Sequence, residues 1–305
     1  MRLVFAGTPA AALPTLRALA SSRHEIAAVI TRDDAQVGRK RILTPSVVAQ
    51  DAAELSLPVL KANRLDDRVT SAIGTLQADL GVIVAYGGLV REPLLSLPRL
   101  GWVNLHFSLL PRWRGAAPVQ RAIMAGDRVS GASVFQLVAA LDAGDVLGTV
   151  ERVIGSDETA GDVLEALAVS GATLTHRVVD ELDRSASHAV PQSGDVTIAP
   201  KLTIEDAHLD ATKPAAEAYN RFRAVTPEPG AFIFVNDARL LVKRASPALD
   251  RDYPAGELVG ERSRLFLGTA TSAIELLEVQ PAGKRAMPAA DWWRGQSHRD
   301  GVRTR

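Results

Sequence analysis

A two-domain protein is predicted, with an α/β half built on a parallel sheet and a smaller all-β half behind it. Three features of the chain carry this expectation. Over residues 1–183, short apolar runs alternate with helix-spaced segments, as in a parallel sheet covered on both faces. Over residues 231–277, short apolar runs follow one another with turn signals between them, as in a small β-barrel. Between these halves the periodicities fade, and Ser185, Ser187, Pro191, Ser193, Gly194 and Pro200 give the texture of a linker. The expected bounds are therefore 1–183, a linker at 184–202, and 203–305. A chain of 305 residues suits two cores better than one.

Taken in order, Leu3-Val4-Phe5-Ala6 reads as a buried strand ending at Gly7-Thr8-Pro9, after which Leu13, Leu16 and Leu19 mark one face of a helix. Residues 25–30 form a second strand. Thr44-Pro45-Ser46 supplies a helix cap with proline at its start, and Val47, Val48, Ala52 and Leu55 follow on helical spacing. Further strands are expected at 58–60, 80–85, 102–106 and 132–138. A long helix at 159–182, broken or bent near Gly171, closes the first half. In the second half a helix over 212–223 precedes strands at 231–235, 240–243, 265–267 and 273–277, with Asn236-Asp237 as a turn.

Composition narrows the chemistry. With 47% hydrophobic and 23% charged residues the chain is an ordinary globular protein, neither disordered nor fibrous. Having no cysteine, it can hold no disulfide, thiolate nucleophile, iron–sulfur cluster or cysteine-ligated zinc. Its six histidines are scattered, without the tight spacing of a zinc enzyme, and no metal is expected. Lys plus Arg and Asp plus Glu balance at 35 each, so contact with nucleic acid would have to be local. The start lacks the pattern of a signal peptide, and no apolar run reaches the roughly 18 residues of a membrane span. A cytoplasmic location is expected.

There is no Gly-x-Gly-x-x-Gly after the first strand, no phosphate-binding P-loop and no Gly-x-Ser-x-Gly elbow, which lowers dehydrogenases, P-loop kinases and serine hydrolases together. The dense stretch runs from Asn104 to Pro118. Asn104 and His106 are two apart on a strand, so they share a face at its carboxyl end, where open α/β sheets place ligands. An isolated Asn-x-His reads as a cap and a buried, hydrogen-bonded histidine at least as readily. Here a Pro- and Gly-rich loop follows directly, and a polar cluster, Leu141-Asp142-Ala143-Gly144-Asp145, ends the next run. That cluster is also good turn chemistry. In a parallel sheet, however, its carboxylates would lie beside the tip of the Asn104 strand. Asn, His and Asp together would offer a donor to an oxyanion, a proton acceptor near neutral pH, and a carboxylate to fix the imidazole. None is an evident nucleophile, which suits direct acyl transfer to an amine.

Asn104-x-His106-x-Ser108-Leu-Leu-Pro111, Arg112-Trp113-Arg114-Gly115-Ala116-Ala117-Pro118 and Leu141-Asp142-x-Gly144-Asp145 together resemble the 10-formyltetrahydrofolate-dependent formyltransferases. Phe5-Ala6-Gly7-Thr8-Pro9, Val84-Ala85-Tyr86-Gly87, Ala199-Pro200-Lys201-Leu202 and Gln280-Pro281-Ala282-Gly283-Lys284 are similar to the members of that family that act on an aminoacyl-tRNA, and the similarity covers almost the whole chain. The resemblance implies a Rossmann-like N-terminal domain, a linker and an OB-like C-terminal β-barrel. It further implies transfer of the formyl group of 10-formyltetrahydrofolate to the α-amino group of methionyl initiator tRNA, for translation initiation. By similarity Asn104, His106 and Asp142 are catalytic, and Ser108, Leu109, Leu110, Pro111, Tyr86, Gly87, Gly144 and Asp145 belong to the folate site. The tRNA side is assigned to Arg39, Lys40 and Arg41, the one run of three basic residues, with Lys201, Lys243, Lys284 and Arg285 extending a phosphate track. The chain departs from the family pattern at Phe107, Ala211 and Glu228. Two alternatives stay in view: a formyltransferase of an amino sugar or other small amine, and a non-catalytic RNA-binding protein, against which the joint presence of Asn104, His106 and Asp142 counts. A monomer is expected.

Overall fold

A computed structural model describes residues 1–38, 41–297 and 301–304. The apolar run at the start becomes β1 (Arg2–Gly7), followed by α1 (Leu13–Ala20) and β2 (Glu25–Thr31). A small hairpin, β3 (Ala35–Val37) and β4 (Ile42–Thr44), precedes α2 (Val47–Glu54), whose first turn is capped by the Ser46 hydroxyl accepting from the Ala49 amide at 3.0 Å. Next come β5 (Val59–Lys61), α3 (Asp67–Thr75), capped in the same way by Asp66, and β6 (Leu80–Val84). The chain continues through β7 (Trp102–His106), the short β8 (Arg114–Gly115), α4 (Pro118–Met124), β9 (Val129–Gln136), β10 (Val146–Val153) and α5 (Ala160–Asp183).

Seven of these strands form one sheet in the order β10-β9-β7-β6-β1-β2-β5. β1 pairs parallel with β2 and β6, and β6 parallel with β7, so the ends of β1, β6 and β7 open on one edge. The parallel expectation fails at one place. β9 pairs antiparallel with β7, Asn104 opposite Phe135 and His106 opposite Ser133. The sheet is therefore mixed, because the chain leaving β7 turns back at the same edge instead of crossing over. β10 was not expected as a strand. It lies at the sheet edge, where Leu147 alone of its residues is buried, so it has no continuous apolar run to betray it.

Gly171 does not bend α5, which runs unbroken for 24 residues. It serves packing instead: a Cβ there would lie 2.9 Å from Leu105 of β7, and its absence lets the helix settle onto the sheet. On the opposite face, Trp102 is fully buried, with its indole N–H donating to the Leu94 carbonyl at 2.8 Å.

Residues 184–199, read from the sequence as most of a linker, pack within the first compact unit. Val190 bridges Val146, and β11 (Ile198–Ala199) pairs parallel with β8.

The second unit gathers Val119–Arg128, Val153–Val163 and the chain from Pro200 onward. α6 (Ala215–Ala224) packs beside an antiparallel sheet ordered β12-β13-β16-β15-β14, namely β12 (Phe232–Val235), β13 (Ala238–Ala248), β14 (Leu258–Glu261), β15 (Arg264–Gly268) and β16 (Ala273–Pro281). β17 (Met287–Pro288) pairs with β16 and leads into α7 (Ala289–Arg294). Near the end of the chain, Thr304 bridges Val235 at one edge of the sheet, and Arg303 bridges Glu257 beside the other, so the last residues draw the curled sheet together. Val302 is buried in the same core. Trp293 is buried there too, its ring lying where a side chain on Gly260 would go, and Trp292 packs against the same core. Ala211 joins this core as well. No helix among the described residues is long and apolar enough to cross a membrane.

Candidate active site

The ends of β6 and β7 and the turn after β9 bring Asn104, His106 and Asp142 into one unit. Asn104 and His106 point to the same side of β7. His106 is buried, with 6% of its surface exposed, and Asp142 is 8% exposed. The imidazole Nε2 lies 2.8 Å from the Trp113 carbonyl oxygen. A carbonyl only accepts, so Nε2 carries the proton and Nδ1 presents a lone pair. Nδ1 faces the Asp142 carboxylate, with Oδ2 at 3.8 Å. Burial pushes the His106 imidazole below its usual 6.5, against the opposing pull of the Asp142 charge and the Trp113 carbonyl. The ring is therefore held neutral, as a proton acceptor must be. Asn104 is only partly buried, and among the described residues nothing hydrogen-bonds its side-chain amide, which leaves two N–H donors for a ligand.

The backbone around these groups is held in unusual conformations. Ala85, Trp113 and Asp142 have φ of 49°, 60° and 44°, a region L-residues avoid. Such positions cost roughly 1–3 kcal/mol each and persist where surrounding contacts over-determine them. Those contacts are present. The Trp113 amide donates to Thr197 Oγ1 at 2.8 Å, and the Gly115 amide donates to Asp142 Oδ2 at 2.8 Å. The Gln192 side-chain amide donates to the carbonyls of both Asp142 and Gly144, each at 2.8 Å. Thr197 and Gln192 had no signal in the sequence, because they lie in an aperiodic stretch and meet the site only through long-range contacts.

The route to Asp142 differs from the expected one. Since β9 runs antiparallel to β7, its end at Gln136 lies beside Val103, at the start of β7. Residues 137–142 must therefore travel back along the sheet edge to reach His106. Leu137 begins this return by packing against the cluster that contains Tyr86 and Val90.

Of the residues assigned to the folate site, Ser108 and Pro111 are buried within their own loop. The Ser108 hydroxyl donates to the Arg112 carbonyl at 2.6 Å, while Ser133 Oγ donates to the Ser108 carbonyl at 2.7 Å and accepts from the Leu110 amide at 3.2 Å. Ser108 shapes the loop rather than presenting its hydroxyl outward. Leu109 and Leu110 are half-buried. Phe107 is buried, and so does not narrow any entrance. Tyr86 is buried with its hydroxyl donating to the Ala62 carbonyl at 2.6 Å, and the Gly87 carbonyl accepts from Arg32 Nη2 at 2.5 Å. Gly144 is buried and Asp145 exposed. The loops at 85–90 and 137–145 carry Leu89, Val138 and Leu141 at 67%, 39% and 56% exposure, apolar side chains open to solvent and suited to the faces of a flat ring.

A Cβ on Gly144 would fall 1.7 Å from the Gln136 carbonyl oxygen. Gly144→Ala must therefore push the turn at 142–145 away from β9. A fall in thermal midpoint equivalent to about 1–3 kcal/mol, with reduced turnover, is expected from calorimetry and initial rates.

On the basic side, Arg39 and Lys40 lie outside the described residues. Arg41 is exposed in the first unit, its Nε donating to Gln36 Oε1 at 2.6 Å. Lys201, Lys284 and Arg285 are exposed and Lys243 half-buried in the second unit, where Lys284 and Arg285 occupy the turn between β16 and β17. Among the described residues no group of three or more His, Asp or Glu could hold a metal ion.

Two family models match this chain, formyl transferase over residues 1–179 and the formyl transferase C-terminal domain over residues 201–297. A methionyl-tRNA formyltransferase of Clavibacter sepedonicus is 57% identical over 301 residues, 98% of this chain and 99% of the relative. A methionyl-tRNA formyltransferase of Leifsonia xyli subsp. xyli is 59% identical over 295 residues, 97% of each chain. The crystal structure of a sugar 3N-formyl transferase, in the presence of dTDP and 5-N-formyl-THF, has a TM-score of 0.69, covering 93% of this chain and 99% of that one at 15% identity. That last likeness is one of fold alone.

Proposed function

The chain belongs to the formyl transferase family, and from that membership we propose that it transfers the formyl group of 10-formyltetrahydrofolate to the α-amino group of methionyl initiator tRNA. The product is N-formylmethionyl-tRNA, which serves translation initiation. The acceptor follows from near full-length relatives at 57% and 59% identity, whereas the sugar-modifying neighbour shares only the fold.

Asn104, His106 and Asp142 carry the chemistry in this reading. The amine nitrogen attacks the formyl carbon, the new C–N bond forms, and charge gathers on the formyl oxygen. The Asn104 side-chain N–H groups stabilise that oxygen. A free α-amino group has a pKa of about 7.7–8.0, so attack needs the neutral amine, which must lose a further proton once bonded. His106 Nδ1 accepts it, and Asp142 steadies the imidazolium formed. When the bond from the formyl carbon to the folate nitrogen breaks, His106 returns a proton to the leaving nitrogen. The folate ring is assigned to the loops carrying Tyr86, Gly87, Gly144 and Asp145, with Leu109 and Leu110 beside them. Arg39, Lys40, Arg41, Lys201, Lys243, Lys284 and Arg285 are assigned to tRNA phosphates. The enzyme is taken to act as a monomer, in the cytoplasm.

The observation that carries the catalytic reading is a buried, neutral imidazole whose free nitrogen faces a carboxylate beside an unengaged amide. The test is incubation with 10-formyltetrahydrofolate and methionyl initiator tRNA. Formylmethionyl-tRNA is expected. Formylation of a nucleotide-linked amino sugar, with none of the tRNA, overturns the acceptor and leaves the chemistry standing.

A further inference from the structure

Gln192 sits outside every motif discussed above, yet all four hydrogen-bonding positions of its side-chain amide are used. Nε2 donates to the Asp142 and Gly144 carbonyls, each at 2.8 Å. Oε1 accepts from Arg114 Nε at 3.1 Å and Nη2 at 2.6 Å. Arg114 lies between Trp113, whose carbonyl accepts from His106, and Gly115, whose amide holds the Asp142 carboxylate. One side chain thus ties the turn that carries Asp142 to the loop that orients His106. Asp142 needs such a tie. Its φ of 44° is unfavourable, and its carboxylate stands 3.8 Å from Nδ1, a spacing small rotations of the turn would change.

We propose that Gln192 is a positioning residue for formyl transfer, fixing the Asp142 turn against the Arg114 loop so that the carboxylate faces His106. The inference rests on the reading of Asn104, His106 and Asp142 as catalytic. It also gives the segment at 184–199 a part in the chemistry, beyond joining two domains. An amide is required because the task needs donors on one side and acceptors on the other. Glutamate would keep the hold on Arg114 but offer no N–H to the two carbonyls. Methionine would keep the volume and lose both.

Gln192→Glu and Gln192→Met are therefore measured with 10-formyltetrahydrofolate and methionyl initiator tRNA, beside His106→Ala, Asp142→Asn and the double variant Gln192→Glu/Asp142→Asn. Both Gln192 variants are expected to lower kcat roughly 10- to 100-fold with KM for either substrate unchanged, as misplacement of a catalytic group does. Gln192→Glu retains the Arg114 partner but sets a carboxylate oxygen against two carbonyls, so a lower melting midpoint is expected; kcat is therefore read well below that midpoint, where the variant is folded and its loss is not one of folding. In the Asp142→Asn background the Gln192 substitution is expected to cost nothing more, because both act through one carboxylate. Wild-type kcat in Gln192→Glu overturns the proposal, as does a loss that persists undiminished in the double variant. His106→Ala and Asp142→Asn at wild-type rate would instead refute the catalytic reading itself.

Discussion

His106→Ala is expected to lower kcat/KM for formylation about 10²- to 10⁴-fold, the usual contribution of a positioned proton-transfer group. On the proposed mechanism the loss falls on kcat, because a buried imidazole assigned to proton transfer does not hold substrate. The pH dependence follows from its surroundings. Burial makes the charged ring less favourable than in water, so the His106 ionisation that enters the acidic limb should lie below pH 6.5, the value of an unperturbed imidazole, and apart from that of the substrate amine at about 7.7–8.0. The same shift enters stability. Between the depressed native value and 6.5 the unfolded chain binds a proton that the native protein does not, so stability falls as pH drops through that window. His106→Ala removes this dependence, and denaturant titrations at pH 7 and pH 5.5 should show a smaller difference than in the wild type. A variant with wild-type turnover would end the assignment of His106.

Asn104 makes the opposite kind of test. Its side chain is only partly buried and has no hydrogen-bond partner among the described residues, so little in the fold depends on it. Asn104→Ala should melt with the wild type while losing about 10²–10³ in kcat, as when one oxyanion donor is deleted from an acyl-transfer site. Asn104→Asp keeps the shape and should lose at least as much, because a carboxylate repels the oxyanion that the amide attracts. Unchanged KM for the folate and the tRNA, measured separately, distinguishes loss of transition-state stabilisation from loss of binding. An Asn104→Ala enzyme with raised KM and full kcat would make Asn104 a binding residue instead.

Much of this was legible in the residues, and the exceptions share a cause. β1, β2, β6 and β7 are buried on both faces, so each is written as an apolar run. Asn104 and His106 are two apart on β7, so their common face follows from the alternation of a strand alone. The linker assignment was the costliest simplification. Residues 184–199 have no periodicity because they are held at scattered points by hydrogen bonds, Val190 to Val146, Gln192 to the Asp142 turn and Thr197 to Trp113, rather than by a buried stripe.

The sequence by itself determined the two-part organisation and the strands of the first sheet that are buried on both faces, and it set out the residue types that the proposed chemistry uses, since these depend on local spacing and composition. Only the tertiary structure decided the antiparallel return of β9, the path that carries Asp142 to His106, and the joining of the second sheet by residues 302–304. Those features are set by which distant strands pair and in what register. Pairing is a balance of burial and hydrogen bonding over the whole chain, and no short window of residues encodes it.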